Sequence, residues 1–207
     1  MNTFFHEGIE FVLPGIFKAY PRDWADQFIS QGIIYFTNLK VIRKDEHPER
    51  GDPRDGIGVS IRNKTRCTTG YMNPVYVWCS TMETVPRRIL DTWKDRDTVL
   101  QITDTWELVQ RVHRAITPDL RINQFQVGPV TYDKDEGSHR GYHWAEGIFQ
   151  KGLRHSGQKE FRFALVTESD IDNIVLNMGR CSDIARIAEN KCPNQTIGGP
   201  RPSLPHG

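Results

Sequence analysis

The sequence predicts an α+β fold, a compact mixed or antiparallel sheet of about six or seven strands with two to four short helices. Three observations predict it. Short runs of β-branched and aromatic residues recur along the chain, few segments carry a 3.6-residue apolar period, and the two kinds do not alternate as a doubly wound sheet requires. With 207 residues the chain suffices for one domain with a sizeable core, placed at residues 1–192, followed by a flexible proline- and glycine-rich tail at 193–207.

The first apolar stretch, residues 4–17, is broken by Gly8, Pro14 and Gly15 and reads as an irregular lead-in or short strand. From Pro21 the period changes to helical: Trp24, Ala25, Phe28 and Ile29 share a face, Pro21 suits the first turn, and Gly32 suits a left-handed stop. Residues 33–37 form a strand after it. Residues 43–58, with Glu46, His47, Glu49, Arg50, Asp52, Arg54 and Asp55 among turn formers, make either a binding loop or a solvated surface loop.

Residues 75–81 form the next strand, and its apolar run ends in Ser80 and Thr81, which either open a crevice or cap the next segment. Residues 90–94 read as helical and 98–102 as a strand. Asp104 with Glu107 three residues on is a capping-box signature, and Trp106, Val109, Val112 or His113, and Ile116 mark the face of the helix it opens. Residues 125–132 read as a strand despite Gly128-Pro129. His139 and His143 have a metal-ligand spacing, but Gly137 and Gly141 oppose the helix that spacing requires. A strand at 171–178 and a short helix at 182–189 complete the order.

Charged residues make up 26% of the chain and nearly cancel, to a formal net charge of +1, so no global basic field points to nucleic acid and recognition must be local. No apolar run reaches the length of a membrane span, and the start has neither a basic leader nor a small-residue cleavage site, which predicts a cytoplasmic protein without a membrane partner. Cys67, Cys79, Cys181 and Cys192 lack paired Cys-x-x-Cys spacing, so reduced thiols are expected, with no zinc site; a Cys181–Cys192 disulfide is the alternative.

The stretch from Lys151 to Val166 carries the strongest functional signal. A polar loop with Gly152 and Gly157 runs into a strand pattern, which gathers Lys159, Glu160 and Arg162 at the strand's mouth. Period two puts Glu160 and Arg162 on one face and Phe161 and Phe163 on the other. An exposed strand edge with a surface ion pair is the plain structural alternative.

The order of landmarks resembles the domain-of-unknown-function family 2971 of bacterial and phage proteins: the strand at 32–37 after a helix, Asp52-Pro53-Arg54-Asp55-Gly56, the hydroxyl-ending strand at Cys79-Ser80, and Lys151 leading to Glu160-Phe161-Arg162. That resemblance implies no settled activity. In a second respect the chain is similar to toxin-type ADP-ribosyltransferases, which carry a basic residue on an early strand, a Ser-Thr-Ser strand end and a Gln/Glu-x-Glu loop entering a later strand. Cys79-Ser80-Thr81 is similar to the second element and Gln158-Lys159-Glu160 fits the third. The strand at 33–37 holds no arginine or histidine, leaving Arg43 and Arg54 as the nearest candidates, and Cys79 replaces the first serine.

This second resemblance implies NAD as cofactor and an ADP-ribosyl transfer, in the phage–host setting of the first. Glu160 is then the catalytic carboxylate against the oxocarbenium-like ribose, and Gln158 orients a non-arginine nucleophile on a macromolecular acceptor. Arg43, Arg54, Ser80, Lys151 and Arg162 are the cofactor-binding candidates, an arginine holding the pyrophosphate through its planar fork. Two other readings stay open. One is a module that binds a nucleotide-type small molecule or a partner without turnover; the other is a magnesium-dependent phosphodiesterase or nuclease built on Asp52, Asp55 and Glu160.

Overall fold

The computed structural model describes residues 2–6, 9–44, 53, 55–62, 65–69, 72–133 and 144–190. Arg50, Asp52, Arg54, His139, His143 and the expected tail at 193–207 lie outside the described residues. The α+β class holds, with a main sheet of eight strands where six or seven were expected.

In chain order, β1 (Asn2–His6) and β2 (Ile9–Leu13) form an antiparallel pair, so the broken lead-in is a hairpin followed by β3 (Ile16–Tyr20). The helix α1 (Arg22–Gln31) leads to β4 (Ile33–Asn38), α2 (Leu39–Arg43), and the hairpin β5 (Gly58–Arg62) and β6 (Thr65–Thr69). Then come β7 (Val75–Thr81), α3 (Pro86–Thr92), β8 (Thr98–Ile102) and α4 (Thr105–Ala115). Next are β9 (Ile122–Pro129), β10 (Thr131–Asp133) and β11 (Gln150–Gly152), the last two paired in parallel. A 3-10 segment, Leu153–Gln158, runs into β12 (Glu160–Thr167), and β13 (Asn173–Asn177) and β14 (Ala185–Asn190) end the described chain.

Local chemistry accounts for the helix ends. Asp104 accepts from the Glu107 amide at 2.9 Å at the start of α4, as its capping signature predicts. The buried stripe of that helix is Thr105, Leu108 and Val112, one position off the expected Trp106 face. At the end of α1, Gly32 takes φ +69°, and a Cβ there would stand 1.8 Å from the Gly179 carbonyl oxygen. Gly32→Ala therefore meets both left-handed strain and a backbone clash, and we expect a loss of more than about 2 kcal/mol, read from the urea midpoint. A shift near zero would mean that the 32 and 179 segments are not pressed together.

One expected element is corrected. The 182–189 segment is not a helix but a turn followed by β14, antiparallel to β8 with an irregularity between Ile187 and Glu189. The three-residue spacing of Ile184 and Ile187 mimics a helical stripe, yet β8 offers a ladder whose backbone hydrogen bonds outweigh so short a local propensity.

The eight-stranded sheet buries both faces. Tyr76, Trp78, Phe161, Phe163 and Leu165 pack with Phe28 of α1 and Leu108 of α4 on one side. On the other, Val75, Val77, Ala164 and Val166 pack with Leu39 of α2 and Ile148. The feature that positions the site is a split beside β7. Along one edge β7 pairs with β12 over its whole length, in register from Val75↔Val166 to Thr81↔Glu160. Along its other edge β4 pairs only at Tyr76 and Val77, and β3 only at Thr81. Trp78, Cys79 and Ser80 thus have no ladder partner on that side among the described residues, and the sheet forks there.

Candidate functional site

The fork opens into a cavity of about 850 Å³, and β7, β12 and the segment before β12 supply its polar end. Lys159 adopts φ +43°, a left-handed turn that swings the chain from the 3-10 segment into β12 and leaves Gln158 and Glu160 both on the cavity wall. The period-two reading of β12 holds: Phe161 and Phe163 enter the core, while Glu160 and Arg162 share the opposite face. They are not an exposed edge, because Glu160 is 4% and Arg162 0% accessible.

Arg162 is the hub. Its Nη1 and Nη2 donate to Asp55 Oδ1 and Oδ2 at 2.6 and 2.8 Å, Nε and Nη2 donate to the two oxygens of Glu160, and Nη1 also donates to the Ile148 carbonyl at 2.6 Å. All five guanidinium N–H groups are therefore used. Lys151 closes the cluster, its Nζ lying 2.9 Å from Glu160 Oε2 and 3.5 Å from Asp55 Oδ2 and donating to Gln158 Oε1 at 3.0 Å. Two carboxylates and two cations, drawn from positions 55, 151, 160 and 162, form a buried and formally neutral group.

That arrangement fixes protonation. Burial pushes the Glu160 carboxyl up, but Arg162 and Lys151 more than reverse it, and the group is held well below the usual carboxylate range. Burial pulls Lys151 down, and Glu160 and Asp55 together more than restore it, so its ammonium is kept charged. The Cys79 thiol is pushed up to about 12 by burial and by Glu160, so it stays a neutral thiol and not a nucleophile. Tyr132, whose hydroxyl accepts from the Glu160 amide at 2.7 Å, is likewise pushed up to about 12, chiefly by burial. Glu160 is thus a fixed anion, suited to stabilising positive charge and poorly suited to exchanging a proton near neutral pH.

The predicted site residues take separate places. Glu160, Gln158, Lys151 and Ser80 line the cavity. Ser80 Oγ donates to the Phe161 carbonyl at 2.8 Å and braces the β7–β12 ladder. Gln158 is held at its side chain by Lys151, and its backbone carbonyl accepts from Thr81 Oγ1 at 2.7 Å. Arg162, expected to face the cofactor, is absent from the cavity wall, and its donors are all engaged within the protein. Arg43 is also away from the wall, its Nε donating to the Asp55 carbonyl at 2.6 Å, so it supports the carboxylate that supports Arg162. Arg54 lies outside the described residues. Asp55 and Glu160 direct their oxygens at Arg162 and Lys151, not at a shared cation position, and the described residues include no cluster of three or more metal-type ligands.

Sequence reasoning names Asp55 only as a loop carboxylate and a magnesium candidate, yet it is completely buried and bridges 107 residues to Arg162. One contributor is missed altogether. Lys18 of β3 lies in the fork, where its ammonium donates to the Cys79 carbonyl and stands 5.4 Å from the ring centroids of both Tyr20 and Trp78. A lysine inside the apolar run of β3 is the available signal. The remaining wall includes the aromatic residues Phe17, Tyr20, Trp24, Tyr35 and Trp93.

Of the positions named in the family 2971 resemblance, Asp55, Lys151, Glu160 and Arg162 share one contact network, and Asp52 and Arg54 lie outside the described residues. Comparison with protein-family models, curated proteins and solved structures finds no match to this chain. No helix among the described residues is long and apolar enough to cross a membrane.

Proposed function

We propose that the cleft binds a nucleotide, NAD in the first instance, and that the chain transfers its ADP-ribosyl group to a non-arginine acceptor. The observation that carries this reading is Glu160, a carboxylate kept ionised at the polar end of a nucleotide-sized aromatic cleft, with Gln158 beside it. As nicotinamide leaves with the bonding electron pair, positive charge grows on the ribose carbon. A preorganised anion lowers that barrier. Gln158 then orients the acceptor, whose lone pair forms the new bond while its proton passes to water, because Glu160 is too weak a base to keep it. The wall fits the ligand's other parts: flat rings for its bases and the cations Lys18, Lys44 and Arg96 for its phosphates. The meeting of Asp55, Lys151, Glu160 and Arg162 in one network supports a role for it beyond packing; the phage–host setting rests on the family 2971 resemblance alone, and the cytoplasmic location on the sequence-based expectation.

Thermal unfolding with and without millimolar NAD is the first test. NAD at one hundred times its dissociation constant is expected to stabilise by about 2.7 kcal/mol, and nicotinamide release is expected to accompany it. A second reading is favoured by one observation, the engagement of both Glu160 oxygens by Arg162 and Lys151, which spends part of the anion's field inside the protein. In that reading the cleft binds a nucleotide without turnover. Stabilisation without nicotinamide release would select it, and the absence of stabilisation by NAD would end the transferase reading.

A further inference from the structure

The cleft has a second end. Trp24, in the first turn of α1, stays 44% exposed although its ring is stacked on Tyr35 at 5.2 Å and 25°, and Tyr20 meets it edge-on at 6.1 Å. A tryptophan held rigid by two aromatic neighbours, with its remaining surface open on a cavity wall, is a preformed stacking platform. This platform and Glu160 are linked through β3 and β7. Trp24 meets Tyr20 edge-on, Lys18 stands over Tyr20 and donates to the Cys79 carbonyl, and two residues further along β7 Thr81 pairs with Glu160. Both ends line the same cavity, whose volume is near the top of the range of about 300–1,000 Å³ for small-molecule pockets.

Charge discriminates among flat ligands. The Asp55, Glu160, Lys151 and Arg162 group is balanced within itself, and among the described residues the other charged ones on the wall are Lys18, Lys44 and Arg96, all cationic. Arg96 has Asp95 at 3.6 Å, in partly exposed surroundings that screen the pair. A ligand with a ring at the Trp24 end and negative charge along the middle matches this wall.

We propose that the ligand is a dinucleotide whose purine base stacks on Trp24 against Tyr35, with its diphosphate at Lys18 and its second ribose at Glu160. The proposal rests on the nucleotide reading of the Glu160 end and adds the element that selects among nucleotides. Base stacking at such a platform carries sequence-tolerant affinity in proportion to the ring's π-face, so the purine half should dominate binding.

The test is titration of the full chain with NAD, AMP and nicotinamide mononucleotide, followed by ligand-induced quenching of tryptophan fluorescence, in wild type, Trp24→Ala and Trp24→Phe. Trp24→Ala is expected to weaken NAD and AMP about tenfold and leave nicotinamide mononucleotide within twofold, with Trp24→Phe recovering most of the loss. Equal weakening of all three ligands, or of none, would overturn the base assignment. The assignment and the transferase reading fail separately. Trp24-dependent AMP binding without nicotinamide release from NAD keeps the platform and removes the chemistry, whereas Glu160-dependent nicotinamide release insensitive to Trp24 keeps the chemistry and removes the platform. Wild type that binds none of the three at millimolar concentration overturns both.

Discussion

Arg162→Met is expected to cost about 3–5 kcal/mol of stability at pH 7, the largest effect of any single change to this cluster. Its side chain is among the largest of the fully buried ones, and methionine keeps the stem out to about Nε while removing all five donors. Asp55 and Glu160 would then face each other with only Lys151 between them, and the Ile148 carbonyl would lose its guanidinium donor. The pH dependence gives the diagnostic sign. In the wild type Glu160 is held below its ordinary value of about 4.3, so its contribution is present above that pH and is lost as pH falls through its lower folded value. In the variant, burial becomes the dominant influence on Glu160 and raises its carboxyl, so protonation relieves the folded state. The deficit relative to wild type should shrink between about pH 7 and pH 4, measured by urea unfolding across that range. A deficit independent of pH would mean that lost packing, not unpaired charge, explains it.

The part of the fold legible in the sequence is local. Pro21 and Gly32 bracket α1 because one presets φ and the other accepts the left-handed stop, and both act without the rest of the fold. The bounds of β7 and β8 can be read because β7 is a short apolar run ending in Ser80 and Thr81, and β8 a short β-rich run followed by Thr103 and Asp104. Period two also places Glu160 and Arg162 together. It cannot show that they are buried, since burial is set by Ile148 and by Asp55 arriving from another part of the chain. Asp55 in a polar stretch and Lys18 in a strand both read locally as surface charge. Their meaning comes from the fork beside β7, and a fork is a property of which strands pair, to which single-strand pattern is blind. The misread helix at 182–189 has the same origin, a weak local period overruled by the edge of β8.

Glu160→Gln is expected to lower nicotinamide release by about 10²–10³-fold, the scale seen when one preorganised electrostatic group is removed from a developing charge. Burial in the cluster means that this variant alone is ambiguous: the glutamine still accepts hydrogen bonds, but Lys151 and Arg162 are left with one carboxylate, and stability should fall by roughly 2–4 kcal/mol. Lys151→Met unbalances the cluster in the opposite sense and should cost a similar amount. The double variant restores neutrality, because the bidentate Arg162–Asp55 pair remains intact and both other positions are uncharged. Its loss of stability should be smaller than the two single losses together by about 1.5–3 kcal/mol, within the range of coupling between residues in contact. Turnover should respond differently. A carboxylate that acts on the ribosyl cation is missing from the double variant as it is from Glu160→Gln, so nicotinamide release by the refolded protein should stay low while stability recovers. Recovery of both together would make Glu160 a structural partner of Lys151 and leave the cleft a binding site.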